Sequence, residues 1–242
     1  MESLINRLKA DIRFEEGMNA CMNCGVCTAI CPSAEFYKYD PRVVCNAVQE
    51  GDEDAIEALL KSDVIWYCGE CMSCKMRCPR GNTVGLIIMA LRKLSQETGL
   101  FVESEKGRQQ FAIKRAIGHN ILELGYCVHP KRVAAELHPE QGPVWKWITE
   151  NDEVIYNKLG GGNYGQEGTG VFRKISDESM NEIRHIFKVT GGQDFMDNIE
   201  ACSRKKAKEL GFDFDKEGED QRYFNHIYSF NSQTHTKESE GL

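Results

Sequence analysis

The chain has 242 residues, 41% of them apolar and 28% charged, enough to bury the core of one or two domains and inconsistent with a disordered or fibrous chain. Its 30 Lys and Arg against 37 Asp and Glu give a formal charge of -7, which speaks against a phosphate-binding surface and against nucleic acid as a partner. The longest apolar run, residues 84–91, is far shorter than the roughly 20 residues that a membrane-spanning helix needs.

The first residues, MESLINRLKADIRFEE, carry charge throughout and hold no apolar signal core, so the expected compartment is the reducing cytoplasm. Cysteine is the outlying residue type. There are 11, eight of them in two short runs, with Cys45, Cys127 and Cys202 outside. Cytoplasmic thiols stay reduced, so this crowding points to metal ligation and not to a disulfide framework. The first run is Cys21-Met-Asn-Cys24-Gly-Val-Cys27-Thr-Ala-Ile-Cys31-Pro32, and the second is Cys68-Gly-Glu-Cys71-Met-Ser-Cys74-Lys-Met-Arg-Cys78-Pro79, at an offset of 47 residues (Cys21 to Cys68). Both read C-x2-C-x2-C-x3-C-P. This is the spacing of bacterial two-cluster ferredoxins, where three thiolates of a run surround one 4Fe-4S cluster and the fourth reaches the other.

Two-residue gaps let a curling loop aim successive sulfurs at different corners of one cube, with backbone N–H groups turned inward, while the fourth Cys points away. Crossed ligation then gives one cluster Cys21, Cys24, Cys27 and Cys78, and the other Cys68, Cys71, Cys74 and Cys31. Pro32 and Pro79, with preset φ and no N–H, suit the first turn of a departing helix. Gly25 and Gly69 stand where a missing Cβ permits close backbone approach to a cluster. Paired C-x2-C spacings also build structural zinc sites of four cysteines, and zinc stands as the alternative. Against it count the third Cys at a two-residue gap, the Cys-Pro ending and the repetition of the whole frame. No C-x-x-C-H occurs, so covalent haem is not expected.

Along the rest of the chain the pattern is helical. Between the two runs, Asp52, Glu53 and Asp54 precede Ala55, Ile56, Leu59 and Leu60, an acidic first turn followed by apolar residues at helical spacing. Residues 82–97 predict a helix capped by Asn82 or Thr83 and stopped by Gly99. Ile113, Ala116, Ile117, Ile121 and Leu124 recur at helical spacing up to Gly125, where a left-handed cap falls. Residues 128–178 are less regular, broken by Pro130, Pro139 and Pro143. Their glycine-dense part, GGGNYGQEGTG at 160–170, satisfies G-x-G-x-x-G through Gly160, Gly162 and Gly165. No strand pattern precedes it, so it reads as a mobile or partner-contacting loop and not as a nucleotide site. Residues 177–189 and 193–210 predict two further helices. The polar, acidic stretch 211–242 contains Phe212, Phe214, Tyr223, Phe224, Tyr228 and Phe230, read as anchors for a partner because solvated tails are poor in such rings; the alternative is that this tail folds back over its own helices.

The predicted fold class is therefore all-α: an α-helical ferredoxin with two 4Fe-4S clusters over residues 1–130, and a helical and irregular C-terminal extension over residues 131–242 for partner docking. Lys75, Arg77 and Arg80 flank the second run and either act on its cluster or a partner, or form a solvated basic face. Cys45, Cys127 and Cys202 follow no ligand spacing and are expected to be ordinary buried or half-buried thiols. No Ser/His/Asp or paired-carboxylate constellation stands out.

With CMNCGVCTAICPSAEFY and WYCGECMSCKMRCPRGN on either side of a helical insert, the chain resembles the C subunit of heterodisulfide reductase, an electron-transferring protein with two 4Fe-4S clusters. The resemblance is read over residues 1–130. Similar modules form the C-terminal half of succinate dehydrogenase and fumarate reductase iron–sulfur subunits. The resemblance implies two partners: a flavoprotein subunit that delivers electrons, and a subunit with Cys-Cys-Gly motifs that performs thiol–disulfide chemistry. This sequence has no Cys-Cys-Gly, so the chain is expected to be non-catalytic alone, one subunit of an oxidoreductase complex in thiol–disulfide or sulfur metabolism. The longer C-terminal part resembles the bacterial heterodisulfide-reductase-like type of sulfur oxidation. The alternatives are an iron–sulfur subunit of another flavin dehydrogenase complex, or an iron–sulfur sensor module.

Overall fold

A computed structural model describes residues 3–136, 138, 141–212 and 221–229. Every regular element among them is a helix, and no strand occurs, in agreement with the all-α expectation. Packing divides the chain into two compact units, the first with described residues 3–109 and 226–229, the second with residues 110–225. This division follows contacts, whereas the sequence division at residue 130 follows motif content.

The first unit begins with α1 (Leu4–Lys9) and α2 (Ile12–Gly17), whose N-caps Ser3 and Asp11 accept from backbone N–H groups of the first turn. Two one-turn helices follow, α3 (Val26–Ala29) and α4 (Ser33–Phe36). Pro32 stands at the N-cap of α4 with φ -63°, as expected for a proline that opens a helix. Its counterpart Pro79 opens only a turn, closed by Gly81 N donating to Cys78 O at 3.1 Å. Helix α5 (Pro41–Glu50) starts at a proline, is capped by Asp40 and ends at Gly51 with φ 72°. In α6 (Glu53–Leu60) the Asp52 carboxylate caps Asp54 and Ala55, and Ile56 and Leu60 are buried, which matches the acidic start and apolar spacing of the sequence.

Helix α7 (Val84–Thr98) is the centre of this unit and packs against α1, α2, α5 and α6. Val84, Ile87, Ile88, Leu91 and Leu94 are all buried in one core with Leu8, Val44, Val48, Ile56 and Leu60. Each such aliphatic side chain contributes roughly 1.5–3 kcal/mol by leaving water. Gly99 ends α7 with φ 76° as predicted, but neither expected cap acts at its start: the Thr83 side chain makes no capping bond, and Asn82 Oδ1 instead accepts from Asn19 N. The end of α2 lies so close to α7 that a Cβ on Gly17 would meet Leu86 Cβ at 3.0 Å and Thr83 O at 3.1 Å. The described chain of this unit continues through α8 (Glu105–Arg108).

The second unit opens with α9 (Gln110–Ile113), a π-helical turn (Lys114–Gly118) and α10 (His119–Leu124), stopped by Gly125 with φ 77°. Here the helix was legible and its buried face was not. Ile113 and Ile117 are 47% and 37% exposed, while Phe111, Ala112, Lys114, Arg115 and Asn120 are buried. A π turn takes in an extra residue and rotates the faces that follow it. The buried cations are met by Glu200, whose carboxylate accepts from Lys114 Nζ at 2.7 Å and from Arg115 Nη2 at 2.6 Å.

Helices α11 (Val144–Glu150), α12 (Asp152–Leu159), α13 (Asp177–Val189) and α14 (Gly192–Glu209) follow. The last two were predicted almost to the residue. The glycine-dense segment is a loop as expected, exposed over residues 165–170 and anchored at Tyr164, which is buried. Tyr164 stacks on Tyr156 at 5.8 Å and on His129 at 5.8 Å, and Phe172 meets Tyr156 edge-on at 4.6 Å. Gly170 has φ 115°, and a Cβ there would lie 2.4 Å from Gly162 O, so that turn admits only glycine.

In α15 (Gln221–Ser229), Tyr223 and Phe224 are buried, each with its ring 5.6 Å from that of Phe111. Phe212 lies against Tyr223 at 5.8 Å. The expectation that these rings anchor a partner does not hold for Tyr223 and Phe224, because α9 of the same chain already covers them. Phe214, Phe230 and the side chain of Tyr228 lie outside the described residues.

Burial works to raise the Glu200 pKa, but hydrogen bonds from Lys114 and Arg115 outweigh it and hold the carboxyl below its usual value. The folded pKa being the lower one, this stabilisation is complete above the ordinary glutamate pKa of about 4.3 and is lost as pH falls through the folded value. Glu200→Gln leaves two buried cations without a counter-charge and is expected to cost roughly 3 kcal/mol at neutral pH. It should also flatten the loss of stability on the acid side. Thermal unfolding of variant and parent from neutral pH into acid checks both effects, and an unchanged midpoint contradicts them.

Candidate metal centre

The two cysteine runs fold as matched loops in the first unit. At the offset of the sequence repeat, Asn23 (φ 58°) corresponds to Glu70 (φ 53°), and Gly25 (φ 77°) to Met72 (φ 59°). These left-handed residues turn each loop back on itself. In both, the amide two positions after the first cysteine donates to that sulfur: Asn23 N to Cys21 Sγ and Glu70 N to Cys68 Sγ, each at 3.4 Å. An N–H aimed at sulfur favours the thiolate, the form that binds metal. Gly25 takes a left-handed φ, and the left-handed position of the second loop is Met72. A Cβ on Gly25 or on Gly69 would make only an ordinary contact with the chain, with Arg42 Nη1 and with Ser33 Oγ, each at 3.9 Å.

Helix side chains hold both loops. From α5, Gln49 accepts from Cys21 N and donates to Cys21 O at 3.3 Å, and Asn46 donates to Asn23 Oδ1 at 3.1 Å. From α7, Arg92 donates through Nε to Ile65 O at 2.7 Å and through Nη2 to Cys68 O at 2.6 Å, and also pairs with Glu70. Gly85 makes room for the second loop, because a Cβ there would come within 2.6 Å of Met72 Sδ.

Two cavities of nearly equal size result. The first is lined by Cys21, Cys24, Cys27 and Cys78, together with Cys45, Arg42 and Arg80. The second is lined by Cys31, Cys68, Cys71 and Cys74, together with Cys27 and Tyr39. Each thus brings three cysteines of one run together with the Cys-Pro cysteine of the other, and Cys27 lies in the wall of both. Among the described residues, no three His, Cys, Asp or Glu side chains converge as a single-ion site requires. Four cysteines in the wall of each cavity match the donor set that a 4Fe-4S cluster takes.

The thiols differ in electrostatics. Burial pushes the Cys27 and Cys68 thiols up, opposed at Cys68 by the Glu70 N–H. Exposed Cys71 is lowered by its hydrogen bond with Ser73. All eleven cysteines are free thiols. Of the three outside the runs, Cys45 is buried and Cys202 half-buried as expected, while Cys127 is exposed. The place of Cys45 in the wall of the first cavity was not visible in its spacing. Lys75 and Arg77 are exposed in a short turn, which fits a solvated face and a partner contact equally, whereas Arg80 reaches the first cavity and donates to Ala20 O at 3.2 Å. Gln49, Asn46, Arg92 and Tyr39 carry no motif, and the sequence reading missed them.

Residues 16–82 match the family model of a 4Fe-4S dicluster domain. The chain is 30% identical over 234 residues to the C subunit of the ferredoxin:CoB-CoM heterodisulfide reductase of Methanosarcina acetivorans, covering 89% of either chain. It is also 30% identical over 158 residues to the C subunit of the ferredoxin/F(420)H(2)-dependent CoB-CoM heterodisulfide reductase of that organism, covering 64% of this chain and 87% of the relative. The iron-sulfur C subunit of the CoB–CoM heterodisulfide reductase of Methanopyrus kandleri is 33% identical over 112 residues, covering 45% of this chain and 56% of the relative. The first of these matches extends well past residue 130, so the likeness is not confined to the cysteine-rich part. Among the described residues no helix is long and apolar enough to cross a membrane. With a 4Fe-4S dicluster domain and a relative alike over most of both chains, this protein belongs to the family of heterodisulfide reductase C subunits, which are iron–sulfur electron-transfer subunits.

Proposed function

We propose that this chain is the electron-transfer subunit of a heterodisulfide-reductase-like complex and holds two 4Fe-4S clusters by crossed ligation. Cys21, Cys24, Cys27 and Cys78 hold one, and Cys68, Cys71, Cys74 and Cys31 the other. The observation that supports this most is the composition of the two cavities, each with three cysteines of one run and the Cys-Pro cysteine of the other, Cys27 being common to both walls. Bound clusters of this kind supply reversible one-electron redox chemistry. The chain's own residues supply thiolates, inward N–H donors at Asn23 and Glu70, and cationic side chains at Arg42 and Arg80.

Since the sequence carries no Cys-Cys-Gly, bond-making on a disulfide belongs to another subunit. The partners on this reading are a flavoprotein subunit and a Cys-Cys-Gly subunit in thiol–disulfide or sulfur metabolism. Residues 1–130 form the cluster-binding part, residues 131–242 the extension that docks on a partner, and the setting is the reducing cytoplasm.

Metal and sulfide analysis of the purified, anaerobically reconstituted chain is expected to give about eight irons and eight sulfides, with broad visible charge-transfer absorption. Zinc at about one or two per chain without that absorption overturns the reading.

Crossed ligation is tested by EPR of single-cysteine variants. Cys78→Ser is expected to perturb the same cluster signal as Cys24→Ser, although 54 residues separate Cys24 from Cys78. Cys31→Ser is expected to perturb the signal that Cys71→Ser does. Pairing of Cys78 with Cys71 contradicts crossed ligation.

A further inference from the structure

The two loops share one ligand frame, but the walls of the two cavities are not alike. Tyr39 lies between α4 and α5 and is only 4% exposed. Its ring meets Tyr67 edge-on at 6.5 Å, and Tyr67 stacks on Tyr37 at 4.6 Å. This aromatic packing fixes the ring, and the side chain lines the second cavity beside Cys31, Cys68, Cys71 and Cys74. The hydroxyl is buried and has no hydrogen-bond partner. The thiol acting on it most is Cys68, followed by Cys31 and Cys74, yet the contact with Cys68 falls short of hydrogen-bond geometry.

A buried O–H left without an acceptor is destabilising, and such an orphan in a cavity wall calls for an acceptor inside the cavity. A phenol is protonated at neutral pH and is a donor. Cluster sulfurs are acceptors, and hydrogen bonds to them are among the determinants of reduction potential. The first cavity offers no hydroxyl side chain in its wall. Its polar side chains outside the cysteines are Arg42, Arg80 and Asn82.

We propose that the Tyr39 hydroxyl donates a hydrogen bond to a sulfur of the cluster held by Cys31, Cys68, Cys71 and Cys74, and raises the reduction potential of that cluster alone. The inference rests on the ligation proposed above. Reduction adds negative charge to the iron–sulfur cage, so the donor stabilises the reduced form more than the oxidised one. Tyr39 is a positioning and tuning residue and makes no bond to iron.

The test is a redox titration followed by EPR on the full chain, parent against Tyr39→Phe, which keeps the ring on Tyr67 and removes only the hydroxyl. The signal of the second cluster is first identified as the one that Cys71→Ser perturbs. Tyr39→Phe is expected to lower the potential of that signal by about a tenfold change in the reduction equilibrium, or about 59 mV for a one-electron couple. The other signal and the iron content should stay as in the parent. Equal shifts in both signals, no shift in either, or loss of iron from the variant each overturn the proposal, the last by showing a packing role. Failure of the ligation reading is seen separately, as Cys31→Ser and Cys71→Ser perturbing different signals. If those two agree and Tyr39→Phe moves nothing, only the present inference falls.

Discussion

Thiolates repel one another, and a group of four held around one cavity cannot keep its own geometry before metal arrives. Burial already disfavours ionisation at Cys27 and Cys68, and each further negative sulfur nearby disfavours it more. The loops must therefore be fixed by something other than sulfur. In the first unit that work falls to two helices. Gln49 and Asn46 on α5 grip the first loop, and Arg92 on α7 grips the second through two backbone carbonyls and Glu70. The apolar core explains why those grips are rigid. Helix α7 is seated by Ile87, Ile88 and Leu91, all fully buried, so a guanidinium on its flank is presented from a fixed base.

The backbone of the loops stores part of the cost. Asn23, Glu70 and Met72 adopt left-handed φ without being glycine, at about 1–2 kcal/mol each. Asparagine tolerates that region through its short polar side chain, and Gly25 meets no penalty there. At Glu70 the strain is offset by the ion pair with Arg92, and at Met72 by the space that Gly85 leaves for the thioether. Strained positions gathered at one place, with partners that hold them, are what a preorganised binding site requires. The second loop needs the stronger clamp because it has two strained non-glycine residues where the first has one.

The sequence was informative where the signal is local. Asp52 and its acidic neighbours marked α6, the pattern over 177–189 marked α13, and the repeated cysteine frame identified the loops that surround the cavities. It failed where a tertiary partner decides. Lys114 and Arg115 are buried because Glu200, on a helix far along the chain, meets them. Tyr223 and Phe224 are core residues because Phe111 receives them. Arg92, directly after the apolar run 84–91, is the anchor of a loop. None of these has a fixed spacing to what it touches, so no window of sequence holds the information. Asn82 shows the same limit for caps, since its carbonyl oxygen serves Asn19 and not the helix it precedes.

A duplicated ligand frame makes two sites alike in everything the frame specifies, which is the number, type and order of the sulfurs. Any difference between the sites must come from residues that the repeat does not copy. Two of those residues stand near the start of α5, where Tyr39 lines the second cavity and Arg42, three positions on, the first. Arg42 is itself held by Asp40, which also accepts from Thr28, so the cation is fixed and partly neutralised. A fixed partial positive charge and an O–H dipole act on bound anionic groups with different strength and range. Tyr39, between α4 and α5, and Arg42, in the first turn of α5, therefore make the walls of the two cavities chemically unlike, although the repeated frame makes their sulfurs alike. Both residues lie in the segment between the two runs, which the repeat does not duplicate.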